Sequence, residues 1–220
     1  MSKRLVIFGT GSQARLAHHY FTRDSDYEVE AFTVDGGYAT DTEFLGLPLV
    51  PFAESASTYP PGDFAMFVAI GYTRMNRLRA EKYTAARALG YEMATYVSSR
   101  CTYLSDHPPG DNCMILEDNT IQPFVRIGDD VTIWSGNHVG HDAVIGDHVF
   151  ISSHVVISGF VRIEPYCFLG VNATLRDDIT IAEANLIGAG AVIMKSTRPH
   201  EVWVPPRSTR VDIRSDGVNL

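Results

Sequence analysis

A period of six constrains this chain more than any other feature. From Ile115 to Ile193 every sixth residue is aliphatic, fourteen in succession without an insertion and twelve of them Ile or Val. The next position is often glycine (Gly128, Gly140, Gly146, Gly170, Gly188), and the fifth is usually small or β-branched, as at Val131, Ala143 and Val155. Six matches neither the 3.6 of a helix nor the 2.0 of a simple strand. It suits short strands wound into a triangular prism, the hexapeptide β-helix, with every sixth side chain pointing into one narrow core. Three blocks close one coil, so residues 18 apart stack at the parallel-strand spacing of about 4.8 Å. Fourteen blocks make between four and five coils. Val97, Tyr103 and Pro109 keep the phase, so a degenerate coil can precede them.

The stretch before the repeat reads differently. RLVIFG (4–9) is a buried strand, Gly9-Thr10-Gly11-Ser12 a turn, and residues 12–23 carry apolar groups at helical spacing. Further strands are expected at 27–35, at Leu49-Val50, at 64–71 and at 91–97, with a helix over 74–89 that ends at Gly90. Strands alternating with helices predict a small parallel α/β sheet. The domains expected are 1–97, the β-helix at 98–198, and a C-terminal cap and loose tail at 199–220.

Glycines at 9 and 11 let backbone N–H groups approach a phosphate at a helix N-terminus. The full G-x-G-x-x-G is absent, because position 14 is Ala. Asp35 follows Gly11 by 24 residues, where an acid meets a ribose or base. The turn either holds a nucleotide-type ligand or is simply tight. The net charge of −8 argues against nucleic acid as a partner. No 18-residue apolar run exists, and the N-terminal apolar run is too short for a signal-peptide core. Three widely separated cysteines, Cys101, Cys113 and Cys167, match neither a disulfide framework nor a zinc pattern. These features predict a cytoplasmic protein with reduced thiols.

The third and fourth places of each block fall on the prism's corners. His141 and Asp142 therefore share one corner, with Gly159 and Phe160 one coil above and Pro123 and Phe124 one coil below. An imidazole titrates near working pH, which makes it the default general base, and an adjacent carboxylate can orient it. The pair reads either that way or as a solvated corner. The bare Gly159 leaves room for a thin ligand beside the ring. His138, His148 and His154 read as surface or structural residues. Their spacing does not match a three-histidine zinc site, and no metal is expected.

Taken together, FGTGSQAR, LGLPLV, FVAIGY, GHDAVIGD, FLGVNATLRDDITIA and LIGAGAVI resemble the bacterial nucleotide-sugar N-acyltransferases. These join a Rossmann-like domain to a left-handed β-helix and use mostly acetyl-CoA. They acylate amino groups on UDP-, GDP- or dTDP-linked aminodeoxy sugars destined for O-antigens and protein glycans. The resemblance implies His141 as catalytic base with Asp142 beside it. It places Gly159, Gly170, Val171, Asn172, Ala182, Gly188 and Ala189 along the CoA arm. Gly9, Gly11, Ser12 and Gln13 would cradle the nucleotide diphosphate, Asp35 would meet the base, and Gly71 with Tyr72 would close the pocket.

It further implies a homotrimer with active sites between subunits. Gln13, Phe150 and Trp134 depart from the family, standing where a His, a second His and an Asn are common. His148 or Asn137 could then take over a polar role. The reaction expected is direct attack of the sugar amine on the thioester, without a covalent acyl-enzyme. Transfer to a hydroxyl, transfer of another acyl group such as formyl, and a non-catalytic sugar-nucleotide-binding trimer are the competing readings.

Overall fold

The structure, a computed structural model, describes residues 3–212 and 214. The end of the expected tail, 215–220, lies outside the described residues.

The first part is a six-stranded sheet. Its strands are β1 (Lys3–Phe8), β2 (Tyr27–Val34), β3 (Glu43–Phe44), β4 (Leu47–Pro51), β5 (Phe64–Val68) and β6 (Glu92–Met93), in the order β3-β4-β2-β1-β5-β6. All neighbours pair in parallel except the β3–β4 hairpin. Leu5–Phe8 are buried in mid-sheet, which is why they read as a continuous apolar run. Helix α1 (Ser12–Arg23) buries Ala14, Ala17 and Phe21. Helix α2 (Phe52–Thr58) was hidden from periodicity by its seven-residue length. Helix α3 (Arg77–Ala88) buries Ala80, Tyr83 and Ala86. It starts three residues later than the sequence suggests, because Arg74, Met75 and Asn76 run left-handed with φ of 55°, 52° and 65°.

The expected strand at 91–97 is split. Its first part is β6, and its second, Tyr96–Val97, pairs with Met114–Ile115 as the first rung of the prism. The prism has three parallel faces of two-residue strands, each paired to the strand 18 residues on, except that Val202–Trp203 pairs with Leu186–Ile187, 16 residues before it. Face I runs from Tyr96–Val97 through Thr132–Ile133 and Phe150–Ile151 to Val202–Trp203. Face II runs from Thr102–Tyr103 through His138–Val139 to Val192–Ile193, and face III from Arg126–Ile127 to Thr180–Ile181. The degenerate first coil is therefore real, and Val202–Trp203 extends face I beyond the repeat.

Every first-place residue from Ile115 to Ile193 is buried in one core, together with the fifth-place residues. Fourth-place residues take φ between 53° and 68° from Asp118 to Ala184, except glycine at 136, which has φ 77°. Asp, Asn and His tolerate this conformation best. Three fifth-place residues are asparagines, Asn119, Asn137 and Asn185, all buried. Asn119 Nδ2 donates to Leu116 O, and Asn119 Oδ1 accepts from Asn137 N and Nδ2. These amides satisfy turn groups that an aliphatic side chain would leave unpaired.

The α/β unit packs on face I and on the edge between faces III and I. Tyr96, Met114 and Leu116 share its core. Arg79 reaches the edge, donating from Nε to Asp130 Oδ1 at 2.9 Å and from Nη2 to Asp130 O and His148 O. No helix among the described residues is long and apolar enough to cross a membrane.

Candidate active site

His141 and Asp142 stand together at the edge between faces II and III. The imidazole Nδ1 lies 3.0 Å from Asp142 Oδ2, and both side chains are about half exposed. The main chain fixes them: His141 N donates to Gln122 Oε1 at 2.9 Å, and Phe160 N donates to His141 O at 3.0 Å. The Phe160 ring meets the imidazole edge-on at 5.0 Å. One expectation needs correction. The space above Gly159 is filled by the imidazole itself, since a Cβ at 159 would come within 3.0 Å of His141 Cε1 and Nε2. Glycine there seats the ring, and a ligand must pass on its outer side.

A glycine under a histidine is not distinctive, because His154 covers Gly136 in the same way, with a Cβ there 2.5 Å from the ring. The acid partner is what sets His141 apart from His154. His148 also has an acid partner, Asp130 Oδ2 at 2.8 Å, but that carboxylate is fully buried and shared with Arg79 and Asn112. The His148 ring stacks on Tyr166 at 4.8 Å. His148 is thus committed to the seam with the α/β unit and is not free to replace a missing polar group at the site. Asn137 is also unavailable: it is buried, with its amide bonded to Asn119 Oδ1, Trp134 O and Val155 N.

A second concavity, of about 350 Å³, opens at the C-terminal ends of β1, β2 and β5. Gly9, Gly11, Ser12, Gln13, Asp35 and Gly71 line it, as the sequence suggests. Gly9 has φ +125°, and a Cβ there would lie 3.0 Å from Ala69 O, so the turn needs glycine. Gly11 caps α1 without any side-chain bond to the first-turn N–H groups. Tyr72 does not close this pocket. Its ring turns onto face I against Phe150 and Phe168, at 5.1 and 4.9 Å. Trp134, also on face I, buries an indole Nε1 that has no hydrogen-bond partner. Lys82 was not foreseen. It enters from α3, and its Nζ is 2.6 Å from Asp35 Oδ1.

The residues expected along a CoA arm are spread over all three edges of one prism. Gly159 stands beside His141. Gly170, Val171, Asn172, Gly188 and Ala189 stack on the edge between faces I and II, and Gly188 and Ala189 line a cleft of about 470 Å³ with Arg207. Gly170 and Gly188 let coils approach, since a Cβ at 170 would sit 2.6 Å from Ala189 N. Ala182 belongs to the third edge and is buried. Its N–H donates to Thr197 Oγ1, and its carbonyl accepts from Asn185 Nδ2, so its backbone already serves the prism.

The cysteines are unsuited to nucleophilic work. Burial pushes the Cys101 thiol up to about 11 and Cys167 up to about 12, and it raises Cys113 further. Among the described residues no group of three or more His, Cys, Asp and Glu is arranged to hold a metal.

Comparison with known proteins places the repeat and the fold. Residues 124–159 match the bacterial transferase hexapeptide (six repeats). The acyl-[acyl-carrier-protein]–UDP-N-acetylglucosamine O-acyltransferase of Burkholderia lata is 27% identical over 113 residues, 46% of this chain and 43% of that protein. The chain thus spans less than half the length of the curated relatives it matches. The acetyltransferase domain of PglB from Neisseria gonorrhoeae superimposes with a TM-score of 0.79 at 24% identity, covering 91% of this chain and 95% of that one. PerB from Caulobacter crescentus, solved with CoA and GDP-perosamine, gives 0.77 at 24% identity over 93% of each chain. WeeI from Acinetobacter baumannii gives 0.76 at 20% identity, covering 91% and 95%. The chain therefore carries bacterial transferase hexapeptide repeats at 124–159, and it shares its fold with the PglB acetyltransferase domain and PerB.

Proposed function

We propose that the protein transfers an acetyl group from acetyl-CoA to the amino group of a nucleotide-linked aminodeoxy sugar. The observation that carries this reading is the His141–Asp142 pair, seated on Gly159 at an exposed edge. Asp142 at Nδ1 leaves Nε2 as the nitrogen that accepts a proton. The amine arrives mostly as ammonium, and His141 takes a proton either before attack or from the tetrahedral intermediate. The amine nitrogen bonds to the thioester carbon, a backbone N–H beside Gly159 meets the developing oxyanion, and the C–S bond breaks to release CoA as its thiol. The raised thiol pKa values favour this direct route over an acyl-cysteine.

The Gly9–Gln13 turn holds the nucleotide diphosphate at the N-terminus of α1. PerB, a fold neighbour, was solved with CoA and GDP-perosamine, which supports a nucleotide-linked amino sugar as acceptor. The α/β unit packs on face I, whereas His141 stands on the edge opposite that face. A sugar anchored in one chain's pocket is then met by His141 of a second copy, in a homotrimer with its sites between subunits. Exposed Val156 and Val192 on face II, with Phe124 and Phe160 on the His141 edge, give that copy an apolar surface. The setting is the cytoplasm, where acetyl-CoA is at hand, and the product serves surface-polysaccharide or glycan assembly.

The test incubates the protein with acetyl-CoA and a panel of UDP-, GDP- and dTDP-linked amino sugars and follows release of free thiol. Hydroxyl-bearing nucleotide sugars belong in the panel, because the curated relatives are O-acyltransferases by name. Thiol release only with amino sugars supports the reading, and release only with hydroxyl acceptors overturns the amine assignment.

A further inference from the structure

The part of face I beside the strand-end pocket is an apolar strip that stays partly open. From Phe150 onward the outward residues of its strands are Phe150, Phe168, Leu186 and Val202, while their neighbours Ile151, Leu169 and Ile187 fill the core. The Phe150 and Phe168 rings stack at 5.7 Å with their planes 15° apart. Tyr72 lies against both, at 5.1 and 4.9 Å. Phe150 is buried beneath, Phe168 and Leu186 are half-buried, and Tyr72 is 56% exposed. The strip is continuous with the pocket. Gly71 lines the pocket beside Gln13, whose Cγ would lie 3.7 Å from a Cβ at 71, and Tyr72 is the next residue.

We propose that Phe168 and Tyr72 form a platform on which the acceptor's sugar ring stacks by a carbon–hydrogen face, which makes them specificity-determining residues for the acceptor. This rests on the nucleotide-sugar reading and deepens it. With the diphosphate at the Gly11–Gln13 N–H groups and the nucleoside toward Val34, Asp35 and Tyr38, the sugar leaves the pocket past Gln13 and Gly71. The first rings it then meets are those of Tyr72 and Phe168. Sugar C–H groups are slightly positive and suit the negative face of an aromatic ring, and the contact takes apolar surface of both out of water. The strip's outward side chains, Phe150, Phe168, Leu186 and Val202, offer no hydrogen-bond partner. A sugar hydroxyl pressed against them loses its water without replacement, so the platform disfavours sugars that turn a hydroxyl toward the rings. Phe150, buried beneath, is a positioning residue that holds the two rings at their level.

The experiment is calorimetry on the intact chain with UDP, dTDP and GDP, each beside its glucosamine-linked form, for the unaltered protein and for Tyr72→Ala, Tyr72→Phe and Phe168→Leu. For the base the pocket accepts, Tyr72→Ala should weaken the sugar-linked ligand about tenfold and change the free diphosphate by less than about twofold. Phe168→Leu, which keeps the strip apolar but removes a ring face, should weaken the sugar-linked ligand about threefold. Tyr72→Phe should restore the affinity of the unaltered protein, because the ring and not the hydroxyl makes the contact. Retained diphosphate binding shows that a variant is folded. A Tyr72→Ala protein that holds both ligands as before, or loses both alike, overturns the platform and leaves the nucleotide pocket standing. So does a diphosphate that binds when its sugar-linked form does not. Light scattering that finds Tyr72→Ala in a smaller assembly than the unaltered protein gives the strip to a second copy of the chain and also overturns the proposal. If none of the six ligands binds the unaltered protein, the nucleotide reading falls and this inference falls with it.

Discussion

The role proposed for His141 rests on its neighbour, Asp142. His154 shows that an imidazole lying over a glycine is simply a packing solution of this prism, and His148 shows that an acid partner can serve a domain seam. Only at 141 do an exposed ring, an adjacent carboxylate and an open edge coincide among the described residues. Replacing His141 with Ala should lower kcat by about 10²–10⁴ with KM little changed. His154→Ala should leave turnover as it was; steady-state kinetics on both variants checks the contrast. The His141–Asp142 pairing was legible because the period fixes which residues share a corner. Lys82 was not, because it reaches Asp35 across 47 residues of chain from another element. Tyr72 was misplaced for a similar reason: its neighbour in sequence, Gly71, lines the pocket, but the ring finds its apolar partners on face I.

At the scale of elements, the joint between α3 and the prism is a buried ion pair. Arg79 and Asp130 are both essentially inaccessible, and the guanidinium also meets the carbonyls of His148 and, at 3.4 Å, Gly71. Arg79→Met leaves a carboxylate buried without its counter-charge and should cost about 3–5 kcal/mol. Adding Asp130→Asn should recover part of that loss; urea unfolding of the single and double variants measures it. In the prism core, Ile151→Ala should cost about 2–5 kcal/mol, because two-residue strands stacked at fixed spacing have little freedom to collapse around a void. The prism was readable almost residue by residue, since its period is its fold. The α/β unit was readable only in outline. The left-handed turn at 74–76 delays α3, and the contacts that hold it, Asn76 Nδ2 to Tyr166 O and Cys167 O, come from 90 residues away.

At the scale of the molecule, two units are tied by contacts that respond to solution conditions. Asp24, at the end of α1, is held down from its ordinary 3.8 to about 2 by hydrogen bonds from Ser99 and Tyr96, with Ser98 adding to them. A carboxylate with a depressed folded-state pKa contributes stability above its unfolded value and loses it as pH falls through the folded one. Between about pH 4 and pH 2 the junction should therefore weaken by about 1 kcal/mol, an amount reduced for solvent screening. Asp24→Asn should remove that slope in urea midpoints taken across the window. Light scattering should find a trimer, because the proposed reading joins His141 of one chain to the strand-end pocket of another. The most direct test of the whole account is thiol release from acetyl-CoA in the presence of nucleotide-linked amino sugars, run with the unaltered protein and with folded His141→Ala. The account predicts amine-dependent release that the substitution cuts by at least about a hundredfold. Release at an undiminished rate from His141→Ala would contradict it.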